Sequence, residues 1–148
     1  MKIEGASEVP APQDKVWAAL LDPATLAKAI PGCEGLEEIG PGEYKAVMKV
    51  GVAAIKGTFE GKVKLMDLEP PNRYRMSVEG KGGPGFVKGE ASMSLSSVDP
   101  ATTRVSYDAD VQVGGLIASV GQRMLGGVSK MMLDQFFSRM SELLTEQK

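Results

Sequence analysis

The chain of 148 residues carries 17 basic and 19 acidic side chains, a formal net charge of -2, and 43% hydrophobic residues. That length suits one globular domain, and the near-neutral balance supplies no basic field to hold nucleic-acid phosphates. Histidine is absent, which removes the commonest general base and the commonest metal ligand.

Ile3, Gly5, Ser7 and Val9 alternate with Lys2, Glu4, Ala6 and Glu8, the pattern of a half-buried strand. Pro10 and Pro12 end it, and Pro12 suits the first turn of a helix, where no backbone N–H is needed. Val16, Trp17, Leu20 and Leu21 then recur at helical spacing. Asp22-Pro23 reads as an N-cap with proline at the first helical position, opening a second short helix through Ile30. Pro31-Gly32 stops it, leaving Cys33 in a loop.

From Gly35 to Val113 the period changes to two. Six runs follow: Leu36–Ile39, Tyr44–Val50, Thr58–Leu68, Arg73–Gly80, Phe86–Ser97 and Thr103–Val113. Turn chemistry separates them, including Gly40-Pro41-Gly42, the Gly51–Gly57 region, Pro70-Pro71-Asn72, Gly82-Gly83-Pro84-Gly85 and Asp99-Pro100. Such spacing predicts antiparallel hairpins. Gly82–Gly85 lacks the Lys-Ser/Thr of a phosphate loop and reads as a hairpin turn. Each run has an apolar side and a wet one; Lys45, Lys49, Lys62 and Lys64 lie on the wet side. The apolar face must be covered.

The cover is the C-terminus. Leu116 to about Glu146 reads as one helix, roughly 45 Å long at 1.5 Å per residue. Its first half carries the stripe Ile117, Val120, Met124, Val128 and Met131. Its second half carries Met132, Leu133, Phe136, Phe137, Met140, Leu143 and Leu144, rotated about a quarter turn. A bend is predicted at Gly126-Gly127, where paired glycines weaken a helix. No stretch approaches the roughly 20 apolar residues of a membrane span, and no leader-like h-region opens the chain. One cysteine forms no internal disulfide, so the expected location is the cytoplasm.

Residues 1–148 therefore read as a single α+β domain in the order β-α-α-β6-α. That is the order of the helix-grip fold, a seven-stranded antiparallel curved sheet wrapping a long C-terminal helix. Pro31-Gly32-Cys33, Val50-Gly51, Gly57-Thr58-Phe59-Glu60-Gly61, Asp110-Val111-Gln112-Val113-Gly114-Gly115 and Gly121-Gln122-Arg123 together resemble the CoxG family of carbon monoxide dehydrogenase subunits. That family lies within the START-like, polyketide-cyclase-like (SRPBCC) superfamily. The resemblance implies an accessory role beside a molybdenum hydroxylase of the carbon monoxide dehydrogenase type, including recruitment to the inner face of the cell membrane. The chain stops at Thr145-Glu146-Gln147-Lys148, where longer relatives carry a further tail, so anchoring through such a tail is not expected.

A hydrophobic ligand is expected between sheet and helix. The sheet would line its cavity with Met48, Val50, Phe59, Val63, Met76, Val78, Val87, Met93, Tyr107 and Val111. The helix would add Leu116, Val120, Met124 and Val128. Gly61, Gly80, Gly89, Ala91 and Ala109 are expected to leave room, and flexible methionines ring that space; the same residues also fit a close-packed core. Tyr44, Tyr74 and Tyr107 are the inward residues with a polar tip. No acid–base constellation is visible, so no catalysis, metal or resident cofactor is expected; a lone Cys33 without histidine makes neither a nucleophilic pair nor a zinc site. Gly114–Gly121 is either a close helix–sheet approach or a flexible gate. The expected function is a non-catalytic carrier of a lipid- or quinone-like molecule. The alternatives are a protein–protein adaptor or assembly factor without ligand and, further off, a cyclase- or dehydratase-like enzyme.

Overall fold

The computed structural model describes residues 1–52 and 55–146. The elements are β1 (Lys2–Val9), α1 (Gln13–Leu20), α2 (Pro23–Ala29), β2 (Cys33–Gly40), β3 (Glu43–Val52), β4 (Ile55–Glu69), β5 (Arg73–Gly82), β6 (Gly85–Asp99), β7 (Thr102–Gly114), α3 (Leu116–Ser119) and α4 (Gln122–Glu146). All seven strands join one antiparallel sheet in the order β1-β7-β6-β5-β4-β3-β2. The first strand thus lies beside the last, and every other neighbour is a hairpin partner.

The period-two reading assigns the faces. Tyr44, Ala46, Phe59, Tyr74, Met93, Leu95 and Val105 are buried on the concave side, while Lys45, Lys49, Lys62 and Lys64 are exposed on the convex one. Gly82 pairs with Gly85 around the two-residue turn Gly83-Pro84, as the hairpin reading requires. Cys33 is a correction: it opens β2 opposite Met48 instead of lying in a loop, because the β3 backbone offers a partner to it directly after Gly32.

The two short helices are fixed by local chemistry. The Asp22 carboxylate caps α2, accepting from the Thr25 N–H at 3.3 Å and from its hydroxyl at 2.6 Å. That side-chain hydrogen bond, more than any other cause, holds the Asp22 carboxyl below its ordinary range. The buried Thr103 hydroxyl donates to the Ala11 carbonyl at 2.8 Å, pinning the turn before α1 onto β7.

The C-terminal segment departs from its expectation. The helix does not bend at Gly126-Gly127; it breaks at Gly121, whose φ of 88° puts it in the left-handed region that ends helices. Gly126 and Gly127 sit exposed within an unbroken α4. The expected rotation of the apolar stripe comes from including Met124 and Met131, which both face solvent. The true stripe is continuous: Leu125, Val128, Met132, Leu133, Phe136, Phe137, Met140 and Leu144.

Two apolar clusters hold α4. The larger joins Val9, Val16, Leu20, Ala29, Tyr74, Met93, Leu95 and Val105 to Phe137, Met140 and Leu144 near the C-terminus of α4. The smaller joins Phe59, Ile117 and Leu125 near its start.

The glycines separate into two kinds. A Cβ at Gly89 would run into the Asp110 carbonyl oxygen and the Val111 backbone, whereas a Cβ at Gly80 or Gly126 would meet nothing within 4 Å. Gly89 therefore permits close strand approach and does not leave room, contrary to expectation. Gly89→Ala should lower the unfolding free energy by about 1–3 kcal/mol through overpacking. Gly126→Ala should raise it by about 1 kcal/mol through helix propensity. Urea unfolding of the two variants beside the parent chain checks both signs.

Candidate ligand pocket

A helix lies close to a sheet only where small side chains or shared contacts allow it. Here α4 packs its backbone near α1, α2 and β1, and stands off the middle strands β4 and β5. The space beneath it is a pocket of about 280 Å³. Val63 and Leu65 of β4, Tyr74 and Met76 of β5 and Met93 of β6 make its floor. Met132, Leu133, Phe136 and Phe137 of α4 make its roof. Leu20, Leu26, Ile30 and Pro31 close one side, with Leu36 and Tyr44 beside them.

Every lining side chain is apolar or a tyrosine. At roughly 30 Å³ for each water-sized group, the volume admits on the order of ten non-hydrogen atoms, near the lower end of the roughly 300–1,000 Å³ of ligand pockets. A larger furrow of about 600 Å³ between β1 and α4 is walled by Glu8, Asp134, Glu142 and several serines. It is a wet surface groove without the converging apolar walls that shape a small-molecule site.

The tyrosines differ in their surroundings. The Tyr44 hydroxyl donates to the Leu21 carbonyl at 3.3 Å. Tyr74 is 3% exposed and packs edge-on to Trp17 at 5.4 Å. Burial, and secondly the nearby Tyr44, pushes its phenol well above the ordinary range. Tyr107 stacks on Phe137 at 5.5 Å and lies across Gly5, where a Cβ would touch its hydroxyl. Burial first, and Asp134 second, raises Tyr107 as well. The phenols are thus neutral hydrogen-bonding groups at neutral pH. Among the described residues no three His, Cys, Asp or Glu side chains gather as a metal site.

Of the residues expected to line a cavity, Val63, Met76 and Met93 line this pocket. Met48, Val50, Phe59, Val87, Val120 and Val128 belong instead to the smaller cluster at the start of α4. Val78 and Val111 are half-buried on the concave face between the two, and Tyr107 packs beside the pocket on Phe137. Leu116 and Met124 are corrections: they are 70% and 47% exposed, and the inward positions are Ile117 and Leu125. The break at Gly121 shifts the phase that a continuous helix would have given.

Sequence reasoning misses the wall formed by α1, α2 and β2. Leu20, Leu26, Ile30 and Leu36 follow helix and strand spacing, but which face of the sheet a short helix covers is a tertiary fact. The roof residues Met132 to Phe137 are visible as a stripe, yet the sequence places the cavity under the other half of the cover.

Among solved structures, a conserved protein from Geobacillus kaustophilus is 38% identical, with a TM-score of 0.96 over 99% of this chain and 96% of its own. A START superfamily protein from Mycobacterium smegmatis shares the fold at 14% identity, with a TM-score of 0.79 over 99% of both chains. The di-domain ARO/CYC protein BexL shares it at 18% identity, with a TM-score of 0.72 over 98% of this chain and 47% of its own. No curated protein matches. The family model of CoxG, a carbon monoxide dehydrogenase subunit, matches residues 5–145. With its helix-grip architecture and apolar pocket, the chain belongs to the CoxG family of carbon monoxide dehydrogenase subunits.

Proposed function

We propose that the chain carries an uncharged lipophilic molecule, of the lipid or quinone class, with a segment of about ten non-hydrogen atoms seated in the pocket beneath α4. In this reading it serves a molybdenum hydroxylase of the carbon monoxide dehydrogenase type and catalyses nothing itself. The observation that carries the reading is the pocket wall, which is apolar throughout apart from two neutral phenols. A cavity of that chemistry holds no water well and accepts an apolar guest. Met76, Met93 and Met132 give the wall adaptable contacts, suited to a carrier that must both load and release. A general acid or base would need a titratable group tuned near the working pH; these phenols are pushed away from it.

A lipophilic cargo is loaded from and returned to a membrane, and one end of the molecule suits that contact. The segments 49–52, 55–59, 80–89 and 111–133 meet there through β3 and β4, the β5–β6 hairpin and the end of β7. They carry Lys49, Lys56, Lys81, Arg123 and Lys130 without an acidic residue, and Lys88, which pairs with the flanking Glu79 at 4.0 Å. Phe86 and Met124, each 47% exposed, and Leu116 stand among these cations. Basic residues near anionic lipid contribute about 1 kcal/mol each, and exposed apolar side chains add insertion. No helix among the described residues is long and apolar enough to cross a membrane, so the contact proposed is peripheral.

Two outcomes are expected. Protein incubated with a bacterial lipid extract and re-isolated should carry an extractable neutral lipid or quinone. Val63→Phe should carry about tenfold less while its unfolding free energy changes by less than about 1.5 kcal/mol, since the ring fills existing space. An empty parent chain, or undiminished loading of the variant, contradicts the carrier role. Separately, the chain should sediment with phosphatidylglycerol vesicles at low salt, and the double variant Phe86→Ser, Leu116→Ser should sediment about tenfold less. Equal binding by parent and variant would place the membrane contact elsewhere.

A further inference from the structure

The pocket contains one hydrogen-bonding group that the protein does not use. Tyr74 is 3% exposed, and its ring is held edge-on against Trp17 and beside its cross-strand neighbour Met93. Its hydroxyl has no hydrogen-bond partner among the described residues. No fully enclosed side-chain oxygen or nitrogen among them lacks a partner, so the Tyr74 oxygen keeps some accessible surface. Tyr74 itself is a pocket-lining residue. The neighbouring Tyr44 already gives its proton to the Leu21 carbonyl. The unmet donor in the apolar chamber is therefore the phenol of Tyr74, and burial keeps that phenol protonated. Buried donors are ordinarily satisfied; an unsatisfied one facing a cavity marks where a guest's acceptor belongs.

We infer that Tyr74 is the specificity-determining residue of the pocket, donating one hydrogen bond to a carbonyl or similar acceptor oxygen of a neutral, otherwise apolar ligand. This deepens the carrier reading above and rests on it. The same geometry selects against two other classes. A pure hydrocarbon leaves the donor unmet, and an anionic head, such as a fatty carboxylate, finds no cation, because no Lys or Arg among the described residues lines the pocket.

The test uses three probes of nearly equal size and shape: valerophenone, which bears one ketone; pentylbenzene, the matched hydrocarbon; and phenylvalerate, the matched anion. Binding to the intact chain is read by calorimetry and by the fluorescence of Trp17, the single tryptophan of the chain. The parent chain should bind valerophenone about three- to tenfold more tightly than pentylbenzene, the range of one net hydrogen bond, and phenylvalerate most weakly. Tyr74→Phe should abolish the ketone preference and leave pentylbenzene affinity within about twofold of the parent's. Equal binding of ketone and hydrocarbon by the parent chain overturns the role of Tyr74 and leaves the apolar carrier standing. Tightest binding of the anion overturns it too. Failure of all three to bind overturns both readings together. The comparison within the parent chain decides the matter even if the variant does not fold.

Discussion

A sheet of seven strands about 4.8 Å apart presents some 30 Å of width, while a helix with its side chains is roughly 10–12 Å across. One helix laid on such a surface cannot cover it, and the position in which it is held decides what stays open. Here α4 is gripped at both ends. Phe137, Met140 and Leu144 lock its C-terminal half onto α1, α2 and β1, and Leu125 with Ile117 holds its start against Phe59. The helix stands off β4 and β5, and the pocket opens along the edge of the larger cluster, whose Leu20, Tyr74, Met93 and Phe137 line it.

The break at Gly121 belongs to the same constraint. The chain must leave β7 at Gly114, turn through Gly115 with a φ of 74°, and bring Ile117 inward, where its N–H bonds the Pro84 carbonyl at 2.9 Å. A single continuous helix from Leu116 would keep that direction. Gly121 in the left-handed region lets α4 start afresh and run diagonally toward β1. The buried Pro84, the short α3 and the left-handed glycines thus form one joint that sets the height and angle of the roof. The exposed apolar and basic side chains of the proposed membrane face surround this joint.

Much of this is legible in the sequence. Period-two alternation assigns the strands and their faces correctly, because a half-buried antiparallel strand has no other way to satisfy its side chains. Asp22-Pro23 marks its helix start, since both residues act within one turn. Legibility fails where the decisive contact is distant. Gly89 and Gly80 look alike in sequence, yet only Gly89 is pressed against a neighbouring strand's backbone. Met124 and Met131 fit an inward stripe until the break at Gly121 turns them to solvent. The side wall of Leu20, Leu26 and Ile30 depends on where two short helices dock, which no local period specifies. The tyrosines are visible as inward polar tips, but only the structure distinguishes Tyr44, already bonded to Leu21, from Tyr74, which is not.

The family assignment and the pocket chemistry meet at a single physical claim, that the interior beneath α4 is left vacant by the protein's own side chains. A crystal of the chain held under xenon pressure tests it most directly, because xenon enters dry apolar voids and avoids solid cores. The account predicts xenon density between Tyr74 and Met76 on the floor and Leu133 and Phe136 on the roof. A crystal that diffracts well and shows no xenon there, with the roof collapsed onto the sheet, would contradict it.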